Sequence, residues 1–140
     1  MTTITKEQLT ASSDNPNAYQ TTITVNGQFI DVSIDPDDVT LDDTLALVNK
    51  VIGDLQGYAS KAVNILIQEY LATYNDNWRE DDEPELDEER FAANLTLTSL
   101  LFLSDSSVDF VYAENGMFGH HSLIAQSFDG ETFDDAMLYG

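Results

Sequence analysis

The chain has no cysteine. That excludes disulfides, thiolate metal sites and cysteine nucleophiles. It is also poor in bases: only Lys6, Lys50, Lys61, Arg79 and Arg90 stand against 26 acidic residues, for a net charge of −21. A field of that sign repels nucleic acid and anionic lipid, both of which bind through cationic contacts. Neither a nucleic acid nor a membrane is therefore an expected partner. No window approaches the ~20 apolar residues of a membrane span. The first residues lack the basic start and apolar run of a secretory signal, so the expected location is cytoplasmic.

Motifs that carry chemistry are missing as well. There is no His-Glu-x-x-His, no Gly-x-Ser-x-Gly elbow and no glycine-rich phosphate loop. Asp35-Pro36-Asp37-Asp38 and Asp76-Asn77 lack the spacing and the glycine of a calcium loop. His120 and His121 are adjacent, and on a strand they would point to opposite faces. The expectation is no catalytic residue, no cofactor and no metal.

What is present is an α+β pattern. The 140 residues suffice for one domain that buries roughly two-thirds of its unfolded surface. Residues 1–17 are polar and read as a flexible lead-in, 18–128 as a single α+β domain, and 129–140 as an acidic and aromatic tail able to dock. Tyr19–Val25 and Gln28–Ile34 alternate in polarity around Asn26-Gly27, the residue pair that suits a type I′ hairpin. A two-residue loop places Ile23 opposite Ile30, Thr21 opposite Val32 and Tyr19 opposite Ile34. Phe29 falls on the polar face.

Thr40 is an N-cap, with Asp43 in the capping-box position. From Leu41 to Tyr74 apolar residues recur every three or four positions, including Leu45, Val48, Ile52, Leu55, Ala62 and Leu66. A single helix of about 34 residues would be ~51 Å long. A domain of this size is only ~37 Å across. Gly53 and Gly57 mark the expected bend or break. Asp87 caps a short helix over Glu88–Asn94, with Leu86 placed to staple onto Phe91. Three strands follow as an antiparallel meander on the long helix. The first carries Leu95, Leu97 and Leu100–Leu103 and reads as buried on both faces. The second carries Val108, Phe110 and Tyr112, and the third runs over His121–Phe128.

Tyr74-Asn75-Asp76-Asn77-Trp78, Asp82-Glu83-Pro84-Glu85-Leu86, Phe91 and Leu95-Thr96-Leu97 together resemble a family of uncharacterised bacterial domains. In that family an Asn-Asp-x-Trp helix end precedes an Asp-Glu-Pro stretch and a strand meander. Gly116-Met117-Phe118-Gly119-His120-His121 is similar to the family's later Gly-His segment. Here His120 stands where the family has glycine. The resemblance covers about residues 66–128, and it implies the fold and a bacterial origin.

Eight of the ten residues over Glu80–Glu89 are acidic, and Trp78 lies just before them. A charged rim beside an aromatic anchor is the composition of a protein-binding hot spot. The expected function is a non-enzymatic acidic binding protein, most concretely an immunity protein that neutralises a basic bacterial toxin such as a nuclease. Trp78, Glu80, Asp81, Asp82, Glu83 and Glu85 would contact that basic protein partner, by filling the cationic groove it uses for substrate. The alternatives are a nucleic-acid mimic that inhibits DNA-binding enzymes, or an accessory or small-molecule-binding domain centred on His121.

Overall fold

Residues 3–139 are described by a computed structural model. Two strands, β2 (Tyr19–Val25) and β3 (Gln28–Asp35), form the hairpin. Ile23 faces Ile30, Thr21 faces Val32 and Tyr19 faces Ile34. Asn26 and Gly27 hold φ of 53° and 80°, the two positive angles a type I′ turn requires. Upstream, the two-residue strand β1 (Thr10–Ala11) pairs antiparallel with β2. Ahead of it the chain is tied to the first helix. Ile4 is buried, its N–H donates to the Asn49 side chain at 2.7 Å, and Asn49 Nδ2 donates back to the Ile4 carbonyl at 3.0 Å.

The long helical stretch is two helices. The capping box at Thr40 and Asp43 starts α1 (Leu41–Gly53), and α2 (Leu55–Thr73) follows after the single non-helical residue Asp54. The two glycines have different jobs. Gly53 ends α1. A Cβ on Gly57 would lie 2.5 Å from the Asp54 carboxylate, so Gly57 lets that side chain close over the first turn of α2. A π-helical turn, Tyr74–Trp78, ends α2, and α3 spans Glu88–Ala93 with the Asp87 carboxylate accepting from Arg90 N–H. Among the described residues no helix is long and apolar enough to cross a membrane.

The last four strands are β4 (Thr96–Leu103), β5 (Ser107–Ala113), β6 (Ser122–Ser127) and β7 (Asp135–Tyr139). The sheet corrects the expected hairpin plus three-stranded meander. Among the described residues seven strands form one mixed sheet in chain order, because β3 and β4 pair in parallel with Val32 beside Leu100 and Ile34 beside Phe102. The meander has a fourth strand, since β7 pairs along β6. A parallel pair needs a long crossover, and α1, α2 and α3 are that crossover.

One face of the sheet meets the helices. Ile34, Leu100, Val108, Phe110 and Leu123 are fully buried there with Val48, Val51, Ala62 and Leu66. The expectation that β4 is buried on both faces is overturned: Leu101 and Leu103 are exposed on the far side. The register of β4 against β5 shifts between Leu97 and Ser99. That bulge adds a residue to the alternation, so Leu97 and Leu100, three apart, face the same way.

The loop from β6 to β7 is fastened over the two helices. Asp129 Oδ1 accepts from the backbone N–H of Glu131 and Thr132, each at 2.8 Å, and Oδ2 accepts from the Thr132 hydroxyl. Tyr58 donates to the Gly130 carbonyl at 2.9 Å, and Lys61 to that of Glu131 at 3.0 Å. Gly130 has φ of 72°, and a Cβ there would lie 3.0 Å from Leu47. The N–H donors hold the Asp129 pKa well below the usual carboxylate value. A folded-state pKa below the unfolded one contributes stability that is present above about pH 4 and is lost as pH falls toward the folded value. Asp129→Asn should therefore flatten the decline of melting temperature below about pH 4. Parallel acid denaturation of variant and wild type measures it; equal slopes would remove Asp129 from the account.

Candidate functional site

The stretch that follows α2 is built, despite its charge, as a pinned loop. Asn75 acts as a clamp: its Oδ1 accepts from Leu86 N–H and its Nδ2 donates to the Leu86 carbonyl, both at 2.9 Å. Arg79 closes the loop from inside, donating to the Asn75 carbonyl at 3.3 Å and the Glu83 carbonyl at 2.5 Å. Its guanidinium also lies 3.9 Å from the Glu85 carboxylate. Residues 80–86 are thus held in one arc by two side chains that sequence reasoning gave no role. A charge count could not show it, because the clamp spends amide and guanidinium groups on backbone atoms.

Trp78 leaves the π turn with one face covered and one open. It is 41% exposed. Its ring packs edge-on against Phe118, with centroids 5.5 Å apart, and against His121 at 6.2 Å. Phe118 is fully buried and takes Tyr70 and Tyr74 edge-on as well, at 5.9 and 5.8 Å. Such pairs each contribute ~1 kcal/mol beyond area burial. The indole is neither pure core nor pure surface: it is anchored along one edge and presented along the other.

Phe118 is positioned by a loop around a buried carboxylate. Glu114 is 1% exposed. Its Oε1 accepts from Gly116 N–H at 2.7 Å and its Oε2 from Phe118 N–H. These bonds offset the cost of taking the group out of water. Asn115, Gly116, Gly119 and His120 all have positive φ. The histidines therefore lie in a bend ahead of β6, which begins at Ser122 rather than His121. His121 Nδ1 is 2.5 Å from the Phe118 carbonyl oxygen, so Nδ1 is the donor in that contact. The exposed His120 ring lies over Gly116, with Cε1 3.4 Å from where a Cβ would stand.

The loop and the bend enclose a hollow of about 420 Å³, lined among others by Trp78, Glu80, Glu83, Tyr74, Asn115 and Met117. Of the six expected partner-binding residues, Trp78, Glu80 and Glu83 share it. Asp81, Asp82 and Glu85 do not line it, though all three are exposed on the same loop. The Tyr74 hydroxyl lies 3.5 Å from Glu83, and burial followed by the Glu83 charge pushes its pKa up. Among the described residues no lysine or arginine lines the hollow. Two carboxylates beside an aromatic edge suit a cationic group, by charge and through the indole face.

Residues 8–138 match the model of a family described as "Uncharacterized protein conserved in bacteria (DUF2262)". The match takes in the first hairpin and the last strands, beyond the 66–128 stretch on which the resemblance rested. No curated protein and no solved structure matches the chain significantly.

Two outcomes test the local construction. Asn75→Ala removes both bonds to Leu86 and should speed amide exchange over residues 80–86, at a cost in stability of about 1–3 kcal/mol. Unchanged exchange there would show the loop to be held by something else. His120 sits at φ of 66°, where a side chain is strained and glycine is not. His120→Gly should leave the fold intact and raise stability by about 1 kcal/mol, read by thermal denaturation; a loss would place a stabilising contact on the imidazole.

Proposed function

The chain belongs to DUF2262, a family of uncharacterized proteins conserved in bacteria, and on that premise we propose that it is a non-enzymatic acidic binding protein, an immunity protein for a basic bacterial toxin such as a nuclease. The observation that carries this reading is the hollow between Trp78 and the pinned acidic loop. An arginine or lysine of the partner enters it beside Glu80 and Glu83, over the edge of Trp78. Asp81, Asp82 and Glu85 stand around it and meet the rest of a cationic groove. A preformed loop supports tight binding, because ordering the seven residues 80–86 at the moment of contact would cost several kcal/mol.

The net charge of −21 supports the kinetic half of the proposal. Long-range attraction between oppositely charged partners raises the association rate, while packed contacts govern dissociation. His121 belongs to this site as a support for Trp78, with Nδ1 committed to the Phe118 carbonyl.

Growth of cells that make a basic nuclease toxin from the host of this protein tests the proposal. The protein supplied in trans should restore growth, and Trp78→Ala should restore it poorly. Binding kinetics then separate the contributions. Raising salt from ~0.1 M to ~1 M shortens the screening length from ~10 Å to ~3 Å, and association should slow steeply while dissociation changes little. Glu80→Gln, Asp81→Asn, Asp82→Asn and Glu83→Gln together should reproduce that slowing at low salt. Trp78→Ala should weaken binding by about 2 kcal/mol or more, chiefly through dissociation. A toxin bound equally fast at both salt concentrations would refute electrostatic capture, and absence of rescue would refute the immunity role.

A further inference from the structure

A larger hollow lies elsewhere, between α2 and α3, and shares no lining residue with the one at Trp78. It is an open groove of about 570 Å³, with Val63, Ile67 and Leu97 in its apolar lining and Glu88 and Glu89 on its α3 side. Those three apolar residues are only partly buried, packed against the core from outside. Toward the hairpin tip a second hollow of about 490 Å³ shares Gln56, Ala59 and Leu97 with the first. The two make one channel along α2. From Gln56 to Ile67 it follows the helix for ~17 Å, about three turns.

One group in this groove has an unmet need. Tyr112 lines it and is 3% exposed. Among the described residues, its hydroxyl is the one buried side-chain polar atom with no hydrogen-bond partner. An unpartnered buried hydroxyl costs roughly 1–3 kcal/mol, and phenylalanine would fill the same space without that cost. The shape, the rim and the hydroxyl each narrow the choice of occupant. The channel is long and shallow and matches the stripe of a helix better than a compact small molecule. Glu88 and Glu89, with no lysine or arginine among the described residues that line the groove, select a cationic occupant. A second copy of this chain, itself at −21, is repelled.

We propose that this groove is a second binding site, which takes one basic amphipathic helix of a protein partner. Its apolar stripe packs on Val63, Ile67 and Leu97, its lysines or arginines lie beside Glu88 and Glu89, and one polar side chain within the stripe pairs with the Tyr112 hydroxyl. A single polar pair in an apolar interface fixes which turn of the helix sits where. The site stands apart from the reading of the acidic loop: either can fail without the other.

The test uses the full chain, isotope-labelled, and a synthetic leucine–lysine helix of about fourteen residues with one asparagine in the leucine stripe. Two companion peptides carry leucine in place of the asparagine, or the same residues scrambled so that no stripe forms. The expected result is amide shifts confined to residues 25–30, 56–67, 88–97 and Tyr112, with the scrambled peptide at least ~10-fold weaker. Glu88→Lys with Glu89→Lys should weaken binding ~10-fold. Asp14→Lys with Asp31→Lys, the same charge change on other exposed residues, should weaken it less than ~3-fold. Tyr112→Phe should raise the melting temperature of the free protein and abolish a ~3–10-fold preference for the asparagine peptide over its leucine twin. Shifts spread over the acidic surface with equal binding of the scrambled peptide would overturn the proposal. So would an asparagine preference that survives in Tyr112→Phe, or equal effects of the two charge reversals.

Discussion

Burial of one sheet face beneath α1 and α2 is the constraint on which the other features rest. Strands from both ends of the chain contribute to that face, and the two helices form most of its cover, with Phe133 of the β6–β7 loop added against Phe110. Ile34 and Phe102 stand side by side across the parallel joint, beneath helices whose apolar stripes include Val48 and Leu66. Each such side chain contributes about 1.5–3 kcal/mol through burial. Because the helices connect β3 to β4, they must lie along the sheet, and α2 must then end near the bend ahead of β6. Phe118 receives Tyr70, Tyr74 and Trp78 there. The position of the indole is thus a consequence of where the core ends.

The scarcity of bases takes on meaning once their contacts are known. Lys6 pairs with Asp42 at 2.9 Å, and Lys50 with Glu131. Lys61 donates to the Glu131 carbonyl, and Arg79 is turned into its own loop. Exposed pairs of this kind add little stability. Their larger effect is electrostatic: these four cations are matched by internal partners, so the field seen from outside has one sign over most of the surface.

Local chemistry was legible in the sequence wherever neighbours along the chain decide the structure. Asn26-Gly27 between alternating strands, Thr40 three residues before Asp43, and Asp87 ahead of Arg90 each act within a few positions, and the hairpin, α1 and α3 begin where those residues place them. Features made by contact at long range were not legible. Nothing in Val32 or Leu100 announces that the two lie side by side. The bulge that turns Leu97 inward is a property of the pairing with β5. Glu114 is one acid among 26, and only the fold distinguishes it as the one that organises a bend. In the sequence the acidic run is a charged rim with an aromatic beside it. The clamp that makes it a fixed arc depends on Asn75, whose amide mimics a strand partner for Leu86.

The parallel joint has a kinetic consequence. On one side of it lies a hairpin closed by a two-residue turn, and on the other a meander whose strands follow one another along the chain; both halves can assemble from near neighbours. The joint cannot. Asp31 meets Ser99 only after the whole helical crossover has been ordered, and closing so long a loop is an entropic cost that no local contact offsets in advance. Rapid formation of the two halves followed by slower docking is the order of events this topology favours. Until docking, β3 and β4 each present an unpaired edge, where a second chain could add a strand. The net charge of −21 then has a use before the fold is complete, since it keeps two half-folded copies apart during the interval in which their edges are open.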